Sequence, residues 1–213
     1  MPVSKKEQVY KDLQEKIITQ ELACGTRLNE KELMDEYGIG RTPLRDILMK
    51  LKIECLIETI PQSGTFVKEL DKTEIRETLE MRIPLEVLAA GFIPFRITKE
   101  QLDEIHYRLF NVRRNLDKLT ITEFKNETDK VHNLYYESVG NKKLAENLKQ
   151  LHNISARAWF SKGYKMRATL DTLDDWQKRI EMVENKEIEK LQEEVREHVI
   201  NFANSLGLED MLY

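Results

Sequence analysis

Residues 29–51 read NEKELMDEYGIGRTPLRDILMKL, and the reading of this stretch decides the fold. Asn29 and Glu32 have capping-box spacing, so a helix begins after Asn29, carries Leu33 and Tyr37 and stops at Gly38. Gly40 then serves as the N-cap of a second helix that tolerates Pro43 in its first turn. Leu44, Ile47, Leu48 and Leu51 fall at i, i+3, i+4 and i+7 on it and give it a buried stripe. Two short helices joined by a tight turn form a helix-turn-helix, whose second helix enters the major groove of DNA. The helical wheel tests this. Counted from Leu44, Arg41, Lys52, Arg45, Met49 and Thr42 stand at about 60°, 80°, 100°, 140° and 160°, so the flank away from the stripe is cationic and hydrogen-bonding. An Arg fork can bond O6 and N7 of one guanine, which suits Arg41 and Arg45 near the helix start to base contact. Lys31, one helix earlier, is placed for phosphate.

Working outward, residues 5–19 form a helix with Val9, Leu13, Ile17 and Ile18 on one face. Downstream the period changes: Leu56 to Ile60 and Thr65 to Val67 are short β-prone runs around Pro61-Gln62-Ser63-Gly64 and predict a small hairpin. From Thr73 onward the pattern is helical, with breaks expected near Pro94, Leu119, Gly140 and Gly163 and between Asn185 and Lys186. The expected fold is mainly α: a winged helix-turn-helix over residues 1–70, then an antiparallel all-α bundle over residues 71–213.

Composition sets limits on function. The 213 residues carry 34 Lys+Arg against 38 Asp+Glu, for a net charge of −4. Residues 1–70 hold 11 basic against 12 acidic side chains and the remainder 23 against 26, so any DNA contact arises from local clustering and not from a basic coat. The longest uncharged apolar stretch, Val87 to Phe95, is far short of the roughly 20 residues that span a bilayer, and no signal segment opens the chain, so no membrane partner is expected. Cys24 and Cys55 lie far apart with no second Cys beside either, which gives no zinc ribbon, redox pair or disulfide framework and implies a reducing, cytoplasmic setting.

The runs Gly25-Thr26-Arg27-Leu28-Asn29-Glu30-Lys31-Glu32-Leu33 and Arg41-Thr42-Pro43-Leu44-Arg45-Asp46 resemble the winged-helix domain of the GntR superfamily over residues 7–70. The resemblance implies base or phosphate contacts from Arg41 and Arg45, a phosphate contact from Thr42, and approach of the wing to the minor groove at Gly64. With Ser63, Lys31 and Lys52 these are the candidate DNA-binding residues. Cys24 replaces the usual Pro, Gly40 the usual Ser and Cys55 a helix-ending Gly. The last implies an unusual backbone or a frayed helix end there.

The 143 remaining residues must dimerise, sense or catalyse. Glu80 to Glu86, His132 to Asn141 and a closing helix with His198 resemble the ligand-binding (FCD) domain of the FadR-like branch of that superfamily over roughly residues 73–205. The resemblance implies a site that many members of that branch have, in which one Asp and three His hold a divalent metal that in turn holds a carboxylate effector. Here His132 and His198 match two His positions, Thr128 stands at the Asp position with Asp129 beside it, and Trp176 stands at the middle His position. The incomplete ligand set argues against a cofactor or bound metal, with Asp129, His132 and His198 as residual candidates. The expected alternative is a metal-free effector pocket of Arg82, Asp129, His132, Trp176 and His198, with Arg82 facing an anionic ligand and Trp176 a flat wall. His106 and His152 match no ligand position and are expected at a surface or interface. Pro84 is expected to kink or restart its helix.

The functional expectation is a homodimeric transcriptional repressor that binds double-stranded DNA at a short inverted repeat and responds to a small organic acid. Two rivals remain: an all-α metal-dependent enzyme with a vestigial DNA module, and an adaptor whose bundle only dimerises. Against an enzyme, the sequence has no nucleophile-base set, phosphate loop or HExxH.

Overall fold

A computed structural model describes residues 4–161 and 167–208, the side chains of residues 167–169 excepted. The break expected near Gly163 lies outside the described residues. Helix α1 (Lys5–Ile18) is capped by Ser4, whose hydroxyl accepts from the amide of Glu7, and buries Val9, Tyr10, Leu13, Ile17 and Ile18. Strand β1 (Arg27–Leu28) leads into helix α2 (Glu30–Tyr37), where the Asn29 side chain accepts from the amide of Lys31. The reciprocal half of the expected capping box takes another form, because Asn29 Nδ2 donates to Glu32 Oε1 at 2.8 Å. Gly38, at φ +56°, closes α2 in the left-handed region that L side chains avoid.

Helix α3 (Arg41–Ile53) follows Gly40 and buries Leu44, Ile47, Leu48 and Leu51, the stripe its spacing predicts. It ends through Cys55 at φ +59°, where the amide of Leu56 donates to the carbonyl of Leu51 at 3.0 Å. The helix end is therefore formed and not frayed, at the cost of a β-carbon in a left-handed backbone. Strands β2 (Ile57–Ile60) and β3 (Gly64–Val67) make the predicted hairpin. Strand β1 adds to the free edge of β3, giving an antiparallel sheet of order β1-β3-β2 with Arg27 opposite Phe66 and Leu28 opposite Thr65. This third strand was not expected from sequence.

Helix α4 (Lys72–Arg96) runs through both Pro84 and Pro94. The helix restart expected at Pro84 does not occur, whereas the break expected near Pro94 falls just after Arg96. The helix passes both prolines and ends two residues beyond Pro94, with Ala89, Ala90 and Ile93 fully buried between them. Burial of that apolar face offsets the lost amide donors. Helices α5 (Lys99–Asn115) and α6 (Ile121–Glu137) each open with a complete capping box, Thr98 with Gln101 and Thr120 with Glu123, and a 3-10 turn at Leu116–Lys118 joins them. Helices α7 (Lys142–Ser161), α8 (Arg167–Glu184) and α9 (Ile188–Ser205) complete the chain.

Two compact units result. The first comprises the residues before Arg76 together with α7 from Asn153 onward. Its core joins α1, α2, α3 and the sheet, with Ala156 and Phe160 of α7 packed on it, and Arg157 donates to the carbonyl of Lys68 and to Cys24 Sγ. The second comprises Arg76–His152 with α8 and α9 around a core that includes Ile93, Ile105, Val131, Tyr135, Leu148 and Trp176. Among the described residues no helix is long and apolar enough to cross a membrane.

Candidate functional site

The exposed flank of α3 gathers most of the residues the sequence assigns to DNA. Arg41 and Arg45 project with 68% and 59% of their side-chain surface open, Thr42, Met49 and Lys52 are exposed beside them, and the apolar stripe faces inward. Glu30, the first residue of α2, places Oε2 3.8 Å from Nε of Arg41 and 3.6 Å from Nε of Arg45. Lys31 and Lys52 make no ion pair among the described residues, whereas Lys6 answers Asp46 at 2.6 Å and Lys50 lies over the Tyr10 ring. The free cations of this face are thus those suited to an external anion.

The wing stands close by. Gly64 has φ +126°, and a β-carbon on it would lie 3.1 Å from Nε of Arg27. A cleft of about 350 Å³ is lined by Arg27, Asn29, Glu30, Thr59, Gly64 and Thr65, and Ser63 is exposed at the hairpin tip. Arg27, which the sequence reading did not select, is exposed and has no ion pair among the described residues. Its signal lay in the Gly25 to Leu33 run, but its neighbourhood depends on β1 pairing with β3.

The interior of the second unit holds a different kind of cluster. Lys125, Thr128, Asp129 and His132 recur at helical spacing on α6, and Asp129 and His132 meet His152 of α7. Lys125 Nζ lies 2.6 Å from Asp129 Oδ2, and His152 Nε2 lies 3.1 Å from Asp129 Oδ1. Burial pushes the Asp129 carboxyl up, but His152 and Lys125 outweigh it and hold the group below the usual carboxylate range. His132 Nδ1 donates to the carbonyl of Thr128 at 2.9 Å, its ring stacks on His152 with centroids 3.9 Å apart, and Trp176 meets it edge-on at 4.6 Å. Burial drives its pKa well below the ordinary imidazole value, so the ring is neutral with its lone pair on Nε2.

Two further buried pairs adjoin. Arg82 Nε donates to Glu86 Oε1 at 3.1 Å, and the Tyr136 hydroxyl donates to the same oxygen at 2.6 Å. Arg179 binds Glu194 through two bonds of 2.8 and 3.0 Å and lies over the Trp176 ring. Burial raises the Glu86 carboxyl, yet the guanidinium groups of Arg82 and Arg179 prevail and keep it lowered. Among the described residues, Glu86 Oε2, Tyr135 OH and His152 Nδ1 of this interior are buried without a hydrogen-bond partner.

Of the residues predicted for a pocket, the structure brings Asp129, His132 and Trp176 together. Arg82 is buried with its charge answered by Glu86. His198 retains 30% of its side-chain surface and stands 3.8 Å from Asp175 Oδ2, and it does not belong to the Asp129 group. His152, expected at a surface or interface, is 14% exposed and belongs to the cluster instead. The signal was present: it stands four residues after Leu148 and seven after Ala145, on the buried stripe of α7. His106 is exposed, as expected.

The metal set implied by resemblance does not fit. The Thr128 hydroxyl donates to the carbonyls of Phe124 and Lys125, and the Trp176 edge closes on His132 where a third imidazole is required. A different trio, Asp129, His132 and His152, has its donor atoms within 4.8 Å of one another, but the Lys125 ammonium already occupies the Asp129 carboxylate.

Comparison with known proteins agrees with both halves of this description. The family described as "Bacterial regulatory proteins, gntR family" matches residues 5–67, and the family described as "FCD domain" matches residues 77–201. An HTH-type transcriptional regulator in an unstable DNA locus of Streptomyces ambofaciens is 30% identical over 116 residues, 54% of this chain and 48% of that protein. The HTH-type transcriptional repressor RspR of Escherichia coli (strain K12) is 27% identical over 128 residues, 60% of this chain and 56% of that protein. The matched stretches span about half the length of these relatives. Escherichia coli McbR/YncC has the same fold, with a TM-score of 0.83 at 20% identity over 98% of this chain and all of that one. A GntR regulator from Rhodococcus sp. RHA1 superposes with a TM-score of 0.78 at 15% identity, covering 96% and 98%. The chain therefore belongs to the FCD-domain family and carries, over residues 5–67, a domain of the gntR family of bacterial regulatory proteins.

Proposed function

We propose that the chain is a homodimeric repressor that reads a short inverted repeat through two copies of α3 and releases it when a small organic acid binds inside its bundle. The observation that carries the DNA half is the exposed flank of α3, where Arg41, Thr42, Arg45 and Lys52 point away from the buried leucines. Arg41 and Arg45 contact base edges and phosphate, Thr42, Lys31 and Lys52 contact phosphate, and the wing at Ser63 and Gly64 follows the minor groove. One such module makes few contacts and binds weakly, so tethering two raises affinity without any new contact type. The similarity to RspR, a transcriptional repressor, supports repression as the direction of action.

The effector half rests on three buried atoms of the bundle that have no hydrogen-bond partner among the described residues. Glu86 Oε2 accepts, the Tyr135 hydroxyl donates, and His152 Nδ1 accepts when Nε2 donates to Asp129. A small hydroxylated acid offers a carboxylate for Tyr135 and a hydroxyl for Glu86 or His152. Asp129, His132 and Trp176 form the adjoining wall.

Fluorescence anisotropy on inverted-repeat DNA from the flanks of the gene, with and without small hydroxy acids, tests both halves. The expected result is tight binding by a dimer, confirmed by light scattering, and release by an acid that also raises the melting temperature. Binding that never discriminates the repeat from scrambled DNA overturns the DNA half. An acid that stabilises the protein yet leaves operator affinity unchanged overturns the coupling.

A further inference from the structure

We propose that Lys125 is the built-in cation of this bundle: its ammonium takes the charge position opposite Asp129, His132 and His152 and keeps that trio free of divalent metal. By geometry alone the trio suits a zinc-class ion, since one carboxylate oxygen and two imidazole nitrogens come within 4.8 Å of one another. His132 is also oriented for the task, because Nδ1 is tied to the Thr128 carbonyl and Nε2 is left as the donor. Yet both Asp129 oxygens are already engaged, Oδ2 by Lys125 at 2.6 Å and Oδ1 by His152 at 3.1 Å.

Three features make Lys125 a fixture and not a passing neighbour. Its side chain is only 9% exposed, so the ammonium cannot be screened by solvent as a surface lysine is. It stands four residues before Asp129 on α6, so the pair is set by one helix face and does not depend on how another element packs. Two other buried cations of the interior are answered as well, Arg82 by Glu86 and Arg179 by Glu194. A divalent ion entering here would add two uncompensated charges beside a buried ammonium. The effector response assigned to this interior therefore proceeds without metal. The test below uses neither effector nor DNA, so the two readings fail separately.

The probe is Zn²⁺, titrated calorimetrically into the full chain and measured by mass spectrometry after dialysis. The wild-type protein is expected to retain no stoichiometric zinc and to show no zinc-dependent melting shift. Lys125→Met keeps the apolar stem and removes the ammonium. It is expected to hold about one zinc per chain, at least about tenfold tighter than wild type, and to lose it again when His152→Ala is added. Lys125→Arg keeps the charge and should remain metal-free. Wild-type protein that retains one zinc, lost on His152→Ala, overturns the proposal. So does a folded Lys125→Met protein that binds zinc no better than wild type; if that variant fails to fold, Lys125→Gln is read by the same criterion.

Discussion

The carboxylate of Glu30 stands 3.6 Å from Nε of Arg45, at the head of the helix that precedes α3. It lies between Arg41 and Arg45, the arginines proposed to contact DNA, and a phosphate arriving there would meet an anion as well as two cations. Exposed pairs of this kind are worth about 0.2–1 kcal/mol, so DNA can break them readily. On the proposed mode of binding their effect is expected on discrimination: correct base contacts would draw the arginines away, whereas phosphate alone would gain less from them. Glu30→Gln is expected to raise affinity for scrambled DNA about two- to fivefold and to lower the ratio of operator to scrambled affinity. Anisotropy on both DNAs at one salt concentration checks this, and an unchanged ratio removes the role.

Arg41 and Lys31 separate the two kinds of contact. Arg41→Ala should cost about 1–3 kcal/mol on the operator and relax preference at one base position. Lys31→Ala should weaken all DNAs alike and reduce the slope of log affinity against log salt by about one. Salt titrations with operator and scrambled duplexes distinguish them. A matched loss of discrimination in both variants defeats the assignment.

Much of the DNA-binding unit was legible because its signals are local. The stripe of α3 follows from four residues at fixed spacing, and the hairpin follows from a change of period around Gly64. Strand β1 was not legible, because two residues carry no period and Arg27 becomes a strand only through Phe66, far along the chain. The passage of α4 through Pro84 was equally hidden, since it depends on what Ala89, Ala90 and Ile93 bury against. In the bundle, His132 and Trp176 were found by matching a pattern, but His152 was missed because the same pattern has no place for it. Its spacing from Ala145 and Leu148 could have put it on the buried face of α7, but its meeting with Asp129 required the packing of α6 on α7. Lys125 was missed for a related reason: a lysine on a helix reads as solvated until its surroundings are known.

Glu86 connects the buried network to pH. Its folded carboxyl lies below the ordinary value, so its contribution to stability is present above the unfolded pKa of about 4.3 and is lost as pH falls through the folded value. Unfolding of the bundle should therefore steepen below about pH 4. Glu86→Gln leaves Arg82 buried without a counter-charge and should cost about 3–5 kcal/mol in urea denaturation at neutral pH. Replacing both, Arg82→Met with Glu86→Leu, should cost much less than the single change. Equal costs would show that the two residues do not act as a pair.

Cys55 offers a prediction of opposite sign. Its backbone at φ +59° costs an L residue about 1–2 kcal/mol, whereas glycine adopts it freely. Glycine also gives up more chain entropy on folding, by about 0.5–1 kcal/mol. The left-handed turn is required in either case, because the amides of Cys55 and Leu56 close α3 onto the carbonyls of Lys52 and Leu51. Cys55→Gly should therefore stabilise the first unit by up to about 1 kcal/mol and leave operator affinity unchanged, since the turn lies at the C-terminal end of α3 and the arginines at its start. Denaturant midpoints and operator anisotropy on the same preparation check both parts. A lower midpoint would mean that the Cys55 side chain contributes more than its backbone costs.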